Sequence, residues 1–87
     1  MKVKEGFVLR KVATTYAVVA TGKRVKEFNG VITLNETGAF LWKILEKGAS
    51  TDELVSALLS EYEVAKDVAE KDVSAFVEKV VSAKIVE

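Results

Sequence analysis

Residues 30 to 38 read GVITLNETG, and this stretch decides the fold that the sequence predicts. Its apolar and β-branched residues at 31–34 follow an Asn29-Gly30 turn signal and therefore predict a strand. Asn35 is a preferred N-cap residue, so a helix is expected to begin directly after that strand. The pattern predicts a strand edge that lies beside a helical body with no linker between them.

Two more β-rich segments precede this stretch, at 7–12 and 16–21, and the residues between them predict a hairpin. The chain then turns into an extended segment at 24–28. Asn29-Gly30 predicts a second hairpin, which pairs this segment with the strand at 31–34, because both residues of the dipeptide tolerate positive φ. The first part of the chain is thus expected to form antiparallel strands.

Two helices are predicted in the middle of the chain, the first of them from Asn35. This helix ends at Gly48, which suits the left-handed conformation that closes many helices. Trp42 lies off the centre of the apolar stripe, so it either covers the edge of the core or contributes to a surface. The second helix begins with a capping box of Ser50 and Glu53. The stripe of the first helix consists of Phe40, Leu41, Ile44 and Leu45.

The third predicted helix begins near 64–65 and runs to about Ala83. Its start is poorly capped, because Ala65 stands where a Ser or Asp side chain would accept the free N–H groups. Its valines oppose helix propensity, so burial must hold the helix, and a strand at 79–86 is the alternative. The residues expected on its buried side are Ala69, Val73, Phe76, Val77, Val80 and Val81.

Strands followed by three helices predict an α+β fold of the winged helix-turn-helix type, in which N-terminal antiparallel β-strands pack against three α-helices. At 87 residues the chain is expected to form a single domain spanning 1–87. Its apolar runs are far shorter than the ~20 residues that cross a bilayer, and its first residues lack a signal-peptide core. We therefore expect a cytoplasmic protein without membrane contact.

The composition argues against an enzyme and predicts no cofactor or metal. The chain has no cysteine and no histidine, so it lacks thiolate ligands, the commonest metal ligand and the usual general base. Its carboxylates stand in the first turns of helices or alternate with lysines, and these positions have structural explanations. A binding or scaffold role is the interpretation that the composition favours.

Nucleic-acid binding is the alternative that a winged-helix arrangement raises. Thirteen basic residues balance thirteen acidic ones, so no net field attracts a polyanion. The third helix has three lysines against four acidic residues, and it has no Arg, Asn or Gln to read base edges. A basic cluster of Lys23, Arg24 and Lys26 lies where a wing is expected, so a DNA-binding transcriptional regulator stays the alternative function.

Residues 30–42, GVITLNETGAFLW, and the spacing to two further helices resemble PqqD-like proteins, small domains also called RiPP recognition elements. The resemblance covers nearly the whole chain. It departs at Ala65, where polar residues are usual, and at Lys84-Ile85, where a Gly-Leu pair is usual. It implies a peptide chaperone that captures the leader of a ribosomally synthesised precursor as an added strand and presents the precursor to a modifying enzyme, often a radical SAM protein.

The resemblance places the peptide between the strand ahead of Asn35 and the third helix. A strand with one unpaired side offers backbone donors and acceptors to an extended peptide, and a helix beside it supplies pockets. On the helix, Asp72 and Lys79 either select peptide charge or are ordinary surface residues. The same open edge also permits a homodimer. The predicted peptide-binding residues are four carried over from the family, Val31, Ile32, Thr33 and Leu34, and the stripe Val68, Asp72, Ala75 and Lys79.

Overall fold

The computed structural model describes residues 1–26 and 31–87. Its elements are β1 (Phe7–Val12), β2 (Thr15–Ala20), a 3₁₀ helix (Gly22–Lys26), β3 (Ile32–Leu34), α1 (Glu36–Leu45), α2 (Thr51–Glu61) and α3 (Lys66–Ser82). The strands form an antiparallel sheet in the order β1-β2-β3, and the helices share one apolar core with it. This arrangement confirms the predicted α+β fold. Within the described ranges, no helix is long and apolar enough to span a bilayer.

The predicted first hairpin is present, and its loop is tighter than expected. β1 and β2 pair in register up to Val12 opposite Thr15, so only Ala13 and Thr14 connect the strands. Ala13 has a φ of 56°, in the left-handed region that glycine usually occupies at the first position of such loops. This conformation costs an L-residue about 1–2 kcal/mol, so the pairing of the two strands holds Ala13 in a strained turn.

The second predicted hairpin is wrong in its described part. A 3₁₀ helix takes the place of the extended segment expected from residue 24, and β3 pairs with β2 instead. Val25 is the only residue of this helix with a large apolar side chain and is 57% exposed, so the described part of the expected strand had a single apolar side chain to bury. Arg24 folds back and donates from Nε to the Glu5 carbonyl at 3.0 Å. The Asn29-Gly30 turn lies outside the described residues.

α1 begins at the predicted residue and ends slightly before the predicted one. The Asn35 side chain accepts a hydrogen bond from the Gly38 N–H at 2.8 Å, which confirms Asn35 as the N-cap. The helix ends at Leu45, and Gly48 follows with a φ of 98° and donates its N–H to the Leu45 carbonyl. Trp42 is fully buried, so it belongs to the core and the surface alternative is wrong.

α2 has the predicted capping box. The Glu53 N–H donates to Ser50 Oγ at 3.1 Å, and the Ser50 N–H donates to Glu53 Oε1 at 2.9 Å. The bond from the Ser50 backbone, and after it the bond with the Ser50 side chain, lower the pKa of Glu53. The start of α2 is therefore held most firmly when Glu53 is ionised.

α3 is helical over the predicted length, so the strand alternative for its last part is wrong. Ala65 makes no side-chain cap bond, as expected. At the other end Lys84 has a φ of 60°, its N–H donates to the Val81 carbonyl, and the Ile85 N–H donates to the Val80 carbonyl. These bonds form a Schellman motif, in which glycine usually occupies the Lys84 position and an apolar residue packs back onto the helix. Lys84 thus takes the conformation in which glycine is usual, and Ile85, the apolar residue after it, is fully buried.

α3 packs on the core through most of its predicted face. Val81 is 51% exposed, so its expected burial is wrong, because the position next to the buried Val80 already turns out of the core. Val77 is half-buried. The residues of α3 that are buried as predicted are Ala69, Val73, Phe76 and Val80.

The two ends of the chain meet beside the core. Val3 and Val86 form an isolated antiparallel bridge, and the Lys4 N–H donates to the Ile85 carbonyl at 2.9 Å. The Val3 N–H donates to the Leu45 carbonyl at 3.1 Å. This terminal bridge therefore joins the segment after α3 to the end of α1.

Candidate functional site

β3 lies at one edge of the sheet, and in the part of the chain that the structure describes no further strand pairs with its outer side. Thr15 Oγ1 donates to the Leu34 carbonyl at 3.2 Å, so the backbone groups of Leu34 point toward β2. Backbone groups alternate in direction along a strand, so those of Thr33 point away from the sheet. β3 therefore presents an outward backbone N–H and carbonyl at Thr33.

A groove of about 390 Å³ runs beside this outward edge. β3 and the first turn of α1 form one wall, and α3 forms the other. Its floor is apolar, because Leu34, Leu41 and Phe76 are buried there, whereas its rim carries hydroxyl, carboxylate and ammonium groups. The residues that line it are Thr15, Thr33, Leu34, Asn35, Thr37, Gly38, Leu41, Asp72, Ala75, Phe76 and Lys79.

The α3 wall follows from the spacing of four residues on one side of the helix. Phe76 turns into the core, while the neighbouring Ala75 is exposed and small, so space remains above the floor. Asp72 and Lys79 are both exposed and lie about 10 Å apart along the helix axis, at 1.5 Å of rise per residue. The wall therefore has a negative end and a positive end.

Gly38 allows the start of α1 to lie directly against β3. A Cβ at this position would lie 3.1 Å from the Leu34 Cβ and 3.3 Å from Asn35 Oδ1, which is the atom that caps α1. A side chain here would crowd both the strand and the cap. Close packing explains the glycine of the LNETG stretch.

Lys79 connects the two walls. Its Nζ donates to the Thr33 carbonyl at 3.1 Å, which is the outward acceptor of β3. The side chain that begins on α3 therefore spans the groove to reach the strand. The arrangement offers an apolar floor, a backbone edge and two opposite charges, and these are the parts of a binding site for an extended chain.

Comparison with known proteins assigns the family. The family model described as Coenzyme PQQ synthesis protein D (PqqD) matches residues 9–86, which is most of the chain. The chain belongs to the PqqD family. The predicted resemblance is therefore confirmed. Among curated proteins, the comparison gave no match.

Two solved structures share the fold of this PqqD-family chain. TbiB1 in complex with the TbiA(beta) leader peptide matches with a TM-score of 0.74 and 22% identity, over 100% of this chain and 95% of that one. A lasso peptide synthetase B1 complexed with the leader peptide matches with a TM-score of 0.68 and 23% identity, over 93% of this chain and 89% of that one. These similarities confirm the strand and helix arrangement.

Three of the predicted peptide-binding residues do not line the groove. Val31 precedes β3 and is 62% exposed, while Ile32 pairs with β2 through its backbone. Val68 lies one turn before Asp72 and beyond the end of the groove. The predicted residues that do line it are Thr33, Leu34, Asp72, Ala75 and Lys79. Their contact with a peptide remains a prediction.

The sequence prediction omits six residues of the groove. Three of them form the N-cap and first turn of α1, and the absence of a linker after β3 is a signal that could have found them. Leu41 and Phe76 belong to a hydrophobic stripe, and periodicity does not distinguish a core residue from one that also forms a groove floor. Thr15 reaches the groove through the pairing of β2 with β3, which the sequence prediction did not include.

Within residues 1–26 and 31–87, no group of three or more His, Cys, Asp or Glu side chains could hold a metal ion. Burial raises the pKa of Tyr62, and the nearby Glu36 adds to this effect. Tyr62 packs edge-on against Phe40, with ring centroids 5.5 Å apart, and does not line the groove.

Proposed function

We propose that this PqqD-family chain binds the leader segment of a ribosomally synthesised precursor peptide and presents the precursor to a modifying enzyme. The observation that carries the proposal is the outward backbone pair of Thr33 beside a groove with an apolar floor. The two structural neighbours are described as complexes with leader peptides, which supports the same use of the fold.

In the proposed complex the leader adds to β3 as a further strand. Each new backbone hydrogen bond contributes about 0.5–1.5 kcal/mol, and these bonds are independent of the peptide sequence. A peptide side chain buried on Leu34, Leu41 and Phe76 contributes about 1.5–3 kcal/mol and supplies sequence preference. We expect micromolar or tighter affinity, which corresponds to about 8 kcal/mol or more of binding free energy.

The chain contributes recognition, and the partner enzyme performs the chemistry. Holding a precursor near an active site raises its local concentration, to the millimolar range with a short flexible connection. The enzyme class that the family resemblance implies is a radical SAM protein, and we place the complex in the cytoplasm. A search for a short peptide and an iron–sulfur enzyme that co-purify with the chain from its native cell tests this part of the proposal.

A DNA-binding regulator has less support from the described residues. Arg24 of the basic cluster is engaged within the fold, since its Nε donates to the Glu5 carbonyl and its guanidinium lies 5.8 Å from the centroid of the Phe7 ring. The α3 face beside the groove carries Asp72, which repels phosphate. A gel shift with duplex DNA at low salt distinguishes the two functions, and we expect no shift.

The test of the peptide proposal uses peptides selected from a random mRNA-display library. The tightest binder is titrated into isotope-labelled protein and followed by NMR. We expect the backbone amides of Thr33, Gly38 and Ala75 to shift, while those of Ala13 and Thr14, in the β1–β2 turn outside the groove, stay in place. Failure to select any binder, or binding that perturbs another surface and leaves the groove unchanged, would refute the proposal.

A further inference from the structure

Lys79 occupies a backbone acceptor that the proposed peptide strand needs. Its Nζ donates to the Thr33 carbonyl at 3.1 Å, and this carbonyl belongs to the outward pair of β3. A peptide added to β3 would place a backbone N–H on the same oxygen. Because the Lys79 side chain spans the groove from α3, it also lies across the path of the added strand.

The ammonium group that docking displaces finds no carboxylate on its own helix within reach. Side chains three and four positions away are the ones that meet on a helix surface. Around Lys79 these are Ala75, Phe76, Ser82 and Ala83, and none of them is acidic. Asp72 lines the same groove but lies about 10 Å away along the axis, at 1.5 Å of rise per residue.

We infer that Lys79 makes the groove selective for peptides that carry an acidic side chain, because that side chain pairs with the ammonium that docking displaces. The inference rests on the proposed function and adds a charge requirement to it. Without the acidic residue, the peptide must remove Lys79 from Thr33 and leave the ammonium unpaired. With it, the hydrogen bond to Thr33 is exchanged for an ion pair.

The position of the acidic residue follows from strand geometry. Side chains alternate between the two faces of a sheet. Leu34 is buried on the face that the helices cover, whereas the Thr33 side chain is exposed on the other face. The peptide residue that pairs with Thr33 shares its face, so the residues directly before and after it point toward α3. The acidic side chain is expected at one of these two places.

The test repeats the mRNA-display selection on the wild type and on three variants. Lys79→Gln removes the charge and keeps a polar side chain, and Lys79→Met keeps the apolar stem. Lys66→Met is the matched control, because Lys66 is an exposed lysine of α3 that by its spacing lies near the opposite side of the helix. The folding of each variant is checked by circular dichroism and by the fluorescence of Trp42.

The wild type and Lys66→Met should enrich Asp or Glu at one fixed peptide position, and both Lys79 variants should lose this enrichment. In the best selected peptide, changing that acid to its amide should weaken binding to the wild type about two- to fivefold and leave binding to Lys79→Gln unchanged. Peptides that shift the groove amides without any preference for an acid would overturn the inference and leave the proposed function standing. If no selected peptide shifts those amides, both fail.

Discussion

Replacing Lys84 by glycine should stabilise the protein, because Lys84 is held in a backbone conformation that favours glycine. Its φ is 60°, at the left-handed position of the Schellman motif that ends α3. The left-handed conformation costs an L-residue about 1–2 kcal/mol, and glycine avoids this cost. Glycine also loses about 0.5–1 kcal/mol more conformational entropy on folding, because its unfolded chain is freer. A net gain of about 0.5–1 kcal/mol is expected, which corresponds to a melting temperature about 2–8 °C higher for a domain of this size.

Lys84→Ala is the control that separates conformation from charge. It also removes the ammonium, which interacts favourably with the C-terminal end of the helix dipole, but it keeps the Cβ that causes the strain. Unfolding in urea can be followed by the fluorescence of Trp42, the only tryptophan of the chain, which is fully buried. Equal stability of the glycine and alanine variants would show that the strain at Lys84 only matches the entropy cost of glycine, and would refute the expected gain; a less stable glycine variant would show that the strain is smaller still.

Ala75→Leu should fill the groove above Phe76 and weaken binding of a selected peptide about 10- to 100-fold, because the peptide loses one apolar anchor. Ser74→Leu, at the neighbouring position outside the groove lining, should leave the affinity unchanged. Glu53→Gln tests the capping box. Because folding lowers the pKa of Glu53, its ionised carboxylate stabilises the fold fully above the ordinary pKa of 4.5, and this stabilisation is lost as pH falls through the folded-state pKa. The urea midpoint of the wild type should therefore drop more steeply in acid than that of the variant. Ala13→Gly should raise stability by about 0.5–1 kcal/mol in thermal unfolding, while glycine at Thr14, which lacks positive φ, should not.

The parts of the fold that the sequence predicts correctly are those set by neighbouring residues. The Asn35 N-cap and the Ser50–Glu53 capping box involve backbone groups only a few positions away, so their side chains identify them without tertiary information. Strand pairing is different, because Asn29-Gly30 signals a turn and does not say which strand β3 will join. The structure pairs β3 with β2, and the described part of the segment from residue 24 belongs to a 3₁₀ helix in which Val25 is 57% exposed.

The site was predictable to the extent that it follows from one strand and one helix stripe. The edge at Thr33 and the exposed positions of α3 lie where the sequence indicates. The floor does not follow from periodicity, because Leu41 and Phe76 are core residues whose outer sides also face the groove. The bond between Lys79 and Thr33 joins residues 46 positions apart, and only the packed structure brings them together.

The terminal bridge has a consequence for the order in which the domain assembles. Val3 pairs with Val86, so this bridge closes a loop that spans residues 3 to 86. The segment after the C-terminal end of α3 is held in place only once that loop has closed. Because the chain is synthesised from its N-terminus, Val3 has no pairing partner until the residues after α3 have been made. We therefore expect this bridge to be among the last contacts of the domain to form.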